Sequence, residues 1–303
     1  MAIAAEPPGA NLSPAARARL AQPTQGDPFP LPDLSDLAAV ARWRDASHAA
    51  WGEGTMPGEA PHRPELVAGV PCDRAGRPDA PTLLYLHGGG YCLGSPGVAA
   101  PITARFAKTF AVLSVSYRLA PEHPFPAALE DVLAVLAALA AHGPVVVAGD
   151  SAGGGLALAA TLAARDRAWP LPRALALLCP HLDHTVSAAA DVAPLLAAYR
   201  GSTAPDHPLV SPLLASLGGL CPILVQTGTA DPLQQQAVRL VQRARAEGTP
   251  VTLDSWPGLW HAWHYHRDIP EADVAVATAA AFLHAALTDP PGVGATTGTT
   301  AIS

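Results

Sequence analysis

Short, continuously apolar runs recur along this chain, separated by stretches with helical spacing. The runs read as strands near 66–71, 82–87, 111–116, 145–149, 174–179, 222–228 and 251–256. Between and after them the pattern predicts helices near 98–109, 126–142, 152–167, 234–247 and 270–287. Strands that are apolar at every position have both faces covered, so the alternation predicts a mostly parallel sheet with helices on both sides. Two helical stretches come first, at 14–21 and 34–49, with a proline-rich break at 23–32 between them. In the second, Leu34, Leu37, Ala38, Ala41 and Ala46 fall on one side, which predicts the buried face. Residues 1–13 and the Gly/Pro-rich 52–64 read as loop, and 289–303 as a disordered tail. The organisation expected is thus an N-terminal helical segment (1–55), one α/β unit (56–288) and the tail.

The chemistry sits where these strands end. Gly149-Asp150-Ser151-Ala152-Gly153 follows the run at 145–149 and opens the helix at 152–167. Strand, glycine-flanked turn and helix in that order make a nucleophile elbow, which lifts the serine hydroxyl clear of the sheet. Small-residue turns abound in a chain with 26 glycines, so the pattern gains weight only from its company. Upstream, the strand at 82–87 opens into His87-Gly88-Gly89-Gly90-Tyr91, whose glycines let backbone N–H groups converge on an oxyanion. Downstream, Asp231 follows the strand at 222–228, and His261 follows the strand at 251–256. Ser151, Asp231, His261 is the chain order of an α/β-hydrolase triad. Plainer readings exist for each: Ser151 as a helix N-cap, Asp231 as a turn aspartate before Pro232, His261 as one of 12 histidines. Asp254 and Asp273 are alternative acids, but one lies inside a strand pattern and the other inside a helix.

His87-Gly88-Gly89-Gly90, Tyr117-Arg118-Leu119-Ala120-Pro121-Glu122-His123-Pro124-Phe125-Pro126-Ala127-Ala128, Gly149-Asp150-Ser151-Ala152-Gly153-Gly154, Asp231-Pro232-Leu233 and Gly258-Leu259-Trp260-His261 together resemble the bacterial hormone-sensitive-lipase-like esterases, over about residues 65–288. The resemblance implies an α/β-hydrolase fold with an N-terminal helical cap, and serine carboxylesterase chemistry without a cofactor. Its oxyanion donors would be backbone N–H groups among Gly88, Gly89 and Gly90, together with Ala152. Tyr91 and Asp150 would line the substrate pocket. An Arg118–Glu122 pair and cis peptides before Pro121 and Pro126 would brace the site. Two departures stand out. Pro180-His181-Leu182-Asp183 has histidine where the family commonly has an aromatic, and the second cap segment, 183–206, is short. Gln234-Gln235-Gln236 replaces the usual acidic residues after Asp231-Pro232-Leu233. A short second cap segment, with helices 14–49 over Ser151, implies a shallow pocket and short acyl groups.

Composition narrows the partners. A net charge of −7 with no basic stripe argues against nucleic acid or an anionic membrane, and no run reaches the length of a membrane span. The first residues lack the pattern of a secretion signal, and Cys72, Cys92, Cys179 and Cys221 are widely spaced, which suggests free thiols and a cytoplasmic protein. A small-molecule ester is the expected partner, with a homodimer left open. His261, His264 and His266, or His181, Asp183 and His184, make a metal site imaginable, but their spacing does not enforce convergence and no metal is expected. Cys92 beside the glycine loop could be a nucleophile, though nothing in the sequence marks it as activated. A non-catalytic binder, or an amidase, lactonase or deacetylase using the same triad, completes the alternatives.

Overall fold

The computed structural model describes residues 12–21, 30–51, 59, 61–186, 189–190 and 192–288. Residues 1–11 and the tail 289–303, as well as most of the proline-rich break, lie outside these. Eight strands form one sheet in the order β1-β2-β4-β3-β5-β6-β7-β8. They are β1 Arg63–Val67, β2 Val70–Ala75, β3 Thr82–Leu86, β4 Ala111–Val115, β5 Val145–Asp150, β6 Leu175–Leu178, β7 Ile223–Gly228 and β8 Val251–Trp256. From β4 to β8 in that order every pairing is parallel, whereas β1 and β2 join antiparallel at one edge. The single strand expected at 66–71 is in fact two strands. Ala68 (φ 52°) and Gly69 (φ 80°) turn the chain back within that apolar run, a two-residue hairpin connection that needs positive φ at both positions.

The apolar runs serve two cores at once, because successive side chains on a strand point to opposite faces. Leu84, Leu86, Leu113, Val115, Val147, Leu175, Leu177, Ile223 and Val225 meet α4 (Ala127–Ala140), α5 (Ala152–Asp166) and α7 (Gln234–Ala246). Their alternates, among them Leu83, Tyr85, Val112, Val146, Ala176 and Leu224, meet α3 (Ala100–Phe106) and α8 (Pro270–Thr288). At 19 residues α8 is long and apolar enough to cross a membrane, yet Ala272, Ala275, Val276, Ala279 and Leu283 are buried against the sheet and the loops above it. It is a layer of this fold.

The N-terminal helices dock at two separate places. Ser13 caps α1 (Pro14–Leu20), and its N–H and hydroxyl both donate to Glu271 at the start of α8, at 2.6 and 2.9 Å. In α2 (Leu37–Trp51) the buried residues are Val40, Trp43 and Ser47. Of the face expected from the sequence, Leu37 (49% exposed), Ala38 and Ala41 are turned outward, whereas Leu34 and Ala46 are half-buried and Leu34 packs on the core. One tryptophan at i+3 from Val40 carries more apolar area than the alanine stripe, so it sets the rotation of the helix. Within 183–206, the stretch expected as a second cap segment, lies α6 (Ala193–Arg200), which the sequence reading did not resolve.

Candidate active site

Strand order reverses between β3 and its two neighbours β4 and β5, which brings the loops after β3 and β5 side by side at the C-terminal edge, the usual place for a ligand site in such sheets. The serine turn is built by close packing. A Cβ at Gly153 would run into the carbonyl oxygen of Leu86, and one at Gly149 into the backbone of Gly153. Only glycine lets α5 start this close to the sheet. Ser151 itself sits at φ 50°, ψ −118°, a conformation that costs about 1–3 kcal/mol for a residue with a side chain. Its hydroxyl makes no capping bond to α5, which disposes of the N-cap reading.

The hydroxyl instead meets His261 Nε2 at 2.9 Å, and His261 Nδ1 lies 3.0 Å from Asp231 Oδ1. The histidine side chain is 32% exposed and the aspartate side chain fully buried. Burial works against the Asp231 charge, but the bonds from His261 and the Leu233 N–H outweigh it and hold the carboxyl below its ordinary value. The other two aspartates are committed elsewhere. Asp254 accepts from Gln226 Nε2 at 2.9 Å, and Asp273 pairs with Arg105 at 2.5 Å.

Gly89 (φ 118°) and Gly90 (φ 60°) turn the loop after β3, and the Gly89 carbonyl accepts the N–H groups of Cys92 and Leu93. No described turn or side-chain bond uses the N–H of Gly89, Gly90 or Ala152. Gly88 is different, and it leaves the set of expected oxyanion donors. Its N–H is spent on Asp150 Oδ1 at 3.0 Å. Asp150 also accepts the hydroxyls of Tyr85 (2.7 Å) and Tyr265 (3.0 Å). Burial raises the Asp150 pKa, with these three donors opposing. Asp150 is therefore a buried brace between elbow and glycine loop, not a pocket residue, and it is 1% exposed. Tyr91, equally buried, stacks on Tyr199 of α6 with ring centroids 3.6 Å apart, so it too presents no surface to a substrate.

Beyond the loop the expected ion pair is rearranged. Arg118 binds Asp131 at 2.9 Å, while Glu122 takes both ends of the Arg44 guanidinium, from α2, at 2.7 Å. Arg44 also donates to the carbonyls of Cys92 and Ala120. The peptides before Pro121 and Pro126 are cis. His48 of α2 accepts the Gly94 N–H at 3.1 Å. Helix α2 thus rests on the back of the glycine loop, and Leu195 of α6 lies 3.1 Å from where a Cβ of Gly90 would stand.

The histidine clusters do not converge on a metal. His264 Nε2 is bonded to Gln226 Oε1, and burial lowers this imidazole to about 3; His266 Nε2 accepts from Trp260. Asp183 pairs with Arg239, whereas His181 and His184 pack ring edge against face. Among the described residues, the one group of three possible ligands that comes together is Cys179, Asp231 and His261, which contains the relay itself. Burial pushes the Cys92 thiol up to about 12, the opposite of an activated nucleophile. Residues the sequence reading missed have a shared signal: Tyr85 and Gln226 are polar positions inside apolar runs. Gln236, from the glutamine triplet, accepts the N–H groups of Leu182 and Asp183 and so fixes the loop after β6.

A protein-family model described as the alpha/beta hydrolase fold matches residues 83–265. An acetyl-hydrolase of Streptomyces hygroscopicus is 43% identical over 234 residues, which span 70% of this chain and 78% of the relative. The crystal structure of a hormone-sensitive lipase from a metagenome library superposes with a TM-score of 0.76 at 32% identity, covering 80% of this chain and 91% of that one. An esterase/lipase structure from an uncultured bacterium gives a TM-score of 0.82 at 28% identity, covering 91% and 100%.

Proposed function

The chain belongs to the hormone-sensitive-lipase-like bacterial esterases of the α/β hydrolase fold, and from that premise we propose a serine carboxylesterase with the triad Ser151, His261 and Asp231, acting on short-chain acyl esters. The observation that carries this reading is the unbroken relay Ser151 Oγ–His261–Asp231, at 2.9 and 3.0 Å, on a serine held at positive φ.

His261 takes the Ser151 proton as Oγ attacks the ester carbonyl, and the Asp231 charge steadies the imidazolium that results. The N–H groups of Gly89, Gly90 and Ala152 receive the oxyanion, and their positions are fixed before the substrate arrives. His261 then protonates the departing alcohol. Water attacking the acyl-enzyme repeats the sequence with the same base. Nothing in these steps calls for a metal or an organic cofactor. Four buried, unpaired thiols suit a reducing compartment, and the cytoplasm is our reading of the location.

Short acyl groups are favoured by the Leu195 side chain standing close over Gly90 and by the short segment 183–206. For 4-nitrophenyl esters, kcat/KM is expected to peak at acetyl or butyryl and to fall at octanoyl and palmitoyl. There the extra methylenes stay in water and forgo about 0.8 kcal/mol each. A maximum at octanoyl or beyond contradicts the short-acyl reading. Activity that a chelator abolishes contradicts the triad. The relative's description as an acetyl-hydrolase favours a second reading on the same triad, removal of an acetyl group from a larger alcohol or amine. Acetylated alcohols and amides in the same screen separate the two.

A further inference from the structure

Asp231 is held on one side only. Its Oδ1 takes both described bonds, from the Leu233 N–H at 2.8 Å and from His261 at 3.0 Å, while Oδ2 is buried and has no hydrogen-bond partner. A buried carboxylate oxygen left bare is costly and leaves the group free to rotate. The further side chain that bears on this carboxylate is Cys179, which directly follows β6. Its backbone is left-handed (φ 48°), and its sulfur lies within 4.8 Å of ligand atoms of both Asp231 and His261. The sulfur is fully buried, and the backbone N–H groups of Gly228 and Ala262, the residue after His261, also face it.

We propose that Cys179 is a positioning residue for the triad acid, its S–H directed to Asp231 Oδ2 and its sulfur receiving the N–H beside His261. A thiol can play both parts, as a weak donor and a weak acceptor. Burial and the neighbouring Asp231 charge push the thiol well above its ordinary pKa, so it keeps its proton wherever the enzyme works. The inference rests on the triad reading given above. Apolar neighbours Leu259, Trp263 and Ala272 offer Cys179 a purely packing role, and the test must separate the two.

Losing the donor concentrates the Asp231 charge on His261. That favours the imidazolium, so the acidic limb of the kcat/KM profile should move to higher pH. Other titratable groups facing this imidazole are His181, His264 and Asp150. Burial holds the first two neutral, at about 4 and about 3.

Cys179→Ala should lower kcat about 5-fold, the scale of one modest hydrogen bond, with KM within about twofold and the acidic limb shifted up by about half a pH unit. Cys179→Ser keeps a donor and should restore both. An unshifted limb in the alanine variant, a serine variant as impaired as alanine, or an effect confined to KM overturns the proposal in favour of packing. The S–H stretching band supplies a reading that does not depend on the alanine variant folding. The band lost in Cys179→Ser should move when Asp231→Asn is made in the otherwise wild-type chain, and a stationary band overturns the proposal. Ser151→Ala measured in parallel tells the two readings apart: if it stays active the triad falls, and the band still decides the Cys179 contact.

Discussion

Ser151→Ala is expected to abolish ester hydrolysis in a chain that still folds. The hydroxyl makes no cap and supports no described neighbour except His261. Its removal therefore takes away the attacking oxygen and little else. Alanine adds no strain, since it places at this φ only the Cβ that serine already carries. Loss of a triad nucleophile should cost on the order of 10⁴-fold or more in kcat, because the remaining oxyanion donors cannot supply the covalent route. The measurements are kcat on a short-chain 4-nitrophenyl ester and the thermal midpoint of the variant. A folded variant that keeps a tenth of wild-type turnover contradicts the assignment, as would a fluorophosphonate label mapping to any peptide without Ser151.

Asp231→Asn should be the next most damaging substitution, at about 10³-fold in kcat, with Asp254→Asn within about threefold of wild type. The geometry refines why. Since Oδ1 serves both Leu233 and His261, an asparagine carbonyl placed there preserves the imidazole tautomer and loses only the charge. The opposite amide orientation loses the tautomer as well. Either way the imidazolium formed during attack has no counter-charge. At position 254 the carboxylate accepts a single described bond from Gln226, which an asparagine oxygen can still accept. A reversal of the two effects in parallel kinetic assays would identify Asp254 as the acid.

The Ser151–His261–Asp231 relay and the glycine loop were legible because each depends on local order: a strand, then a loop residue, in a fixed succession along the chain. Seven apolar runs announced the sheet for the same reason. What escaped depended on approach between distant segments. Nothing local says that Arg44, 78 residues before Glu122, will reach it ahead of Arg118, which finds Asp131 at the start of α4 instead. Likewise Gly88 looks identical to Gly89 and Gly90 until Asp150 arrives and takes its N–H. The β1–β2 hairpin was missed for another reason. Its turn, Ala68-Gly69, is too apolar to stand out from Leu66, Val67 and Val70, and the glycine was the only signal.

The Arg44 fork also bears on how such an enzyme can be re-engineered. Its guanidinium satisfies the Glu122 carboxylate and the carbonyls of Cys92 and Ala120 together, so the glycine loop is partly built from the N-terminal segment. That segment is not an interchangeable module. A chimera that grafts another relative's first helices onto this sheet must import an arginine at the same point, or redesign Glu122 along with it. Otherwise a half-buried acid and two carbonyls lose their partner behind the glycine loop. Selectivity is better recast through α6, whose Leu195 side chain stands close over Gly90.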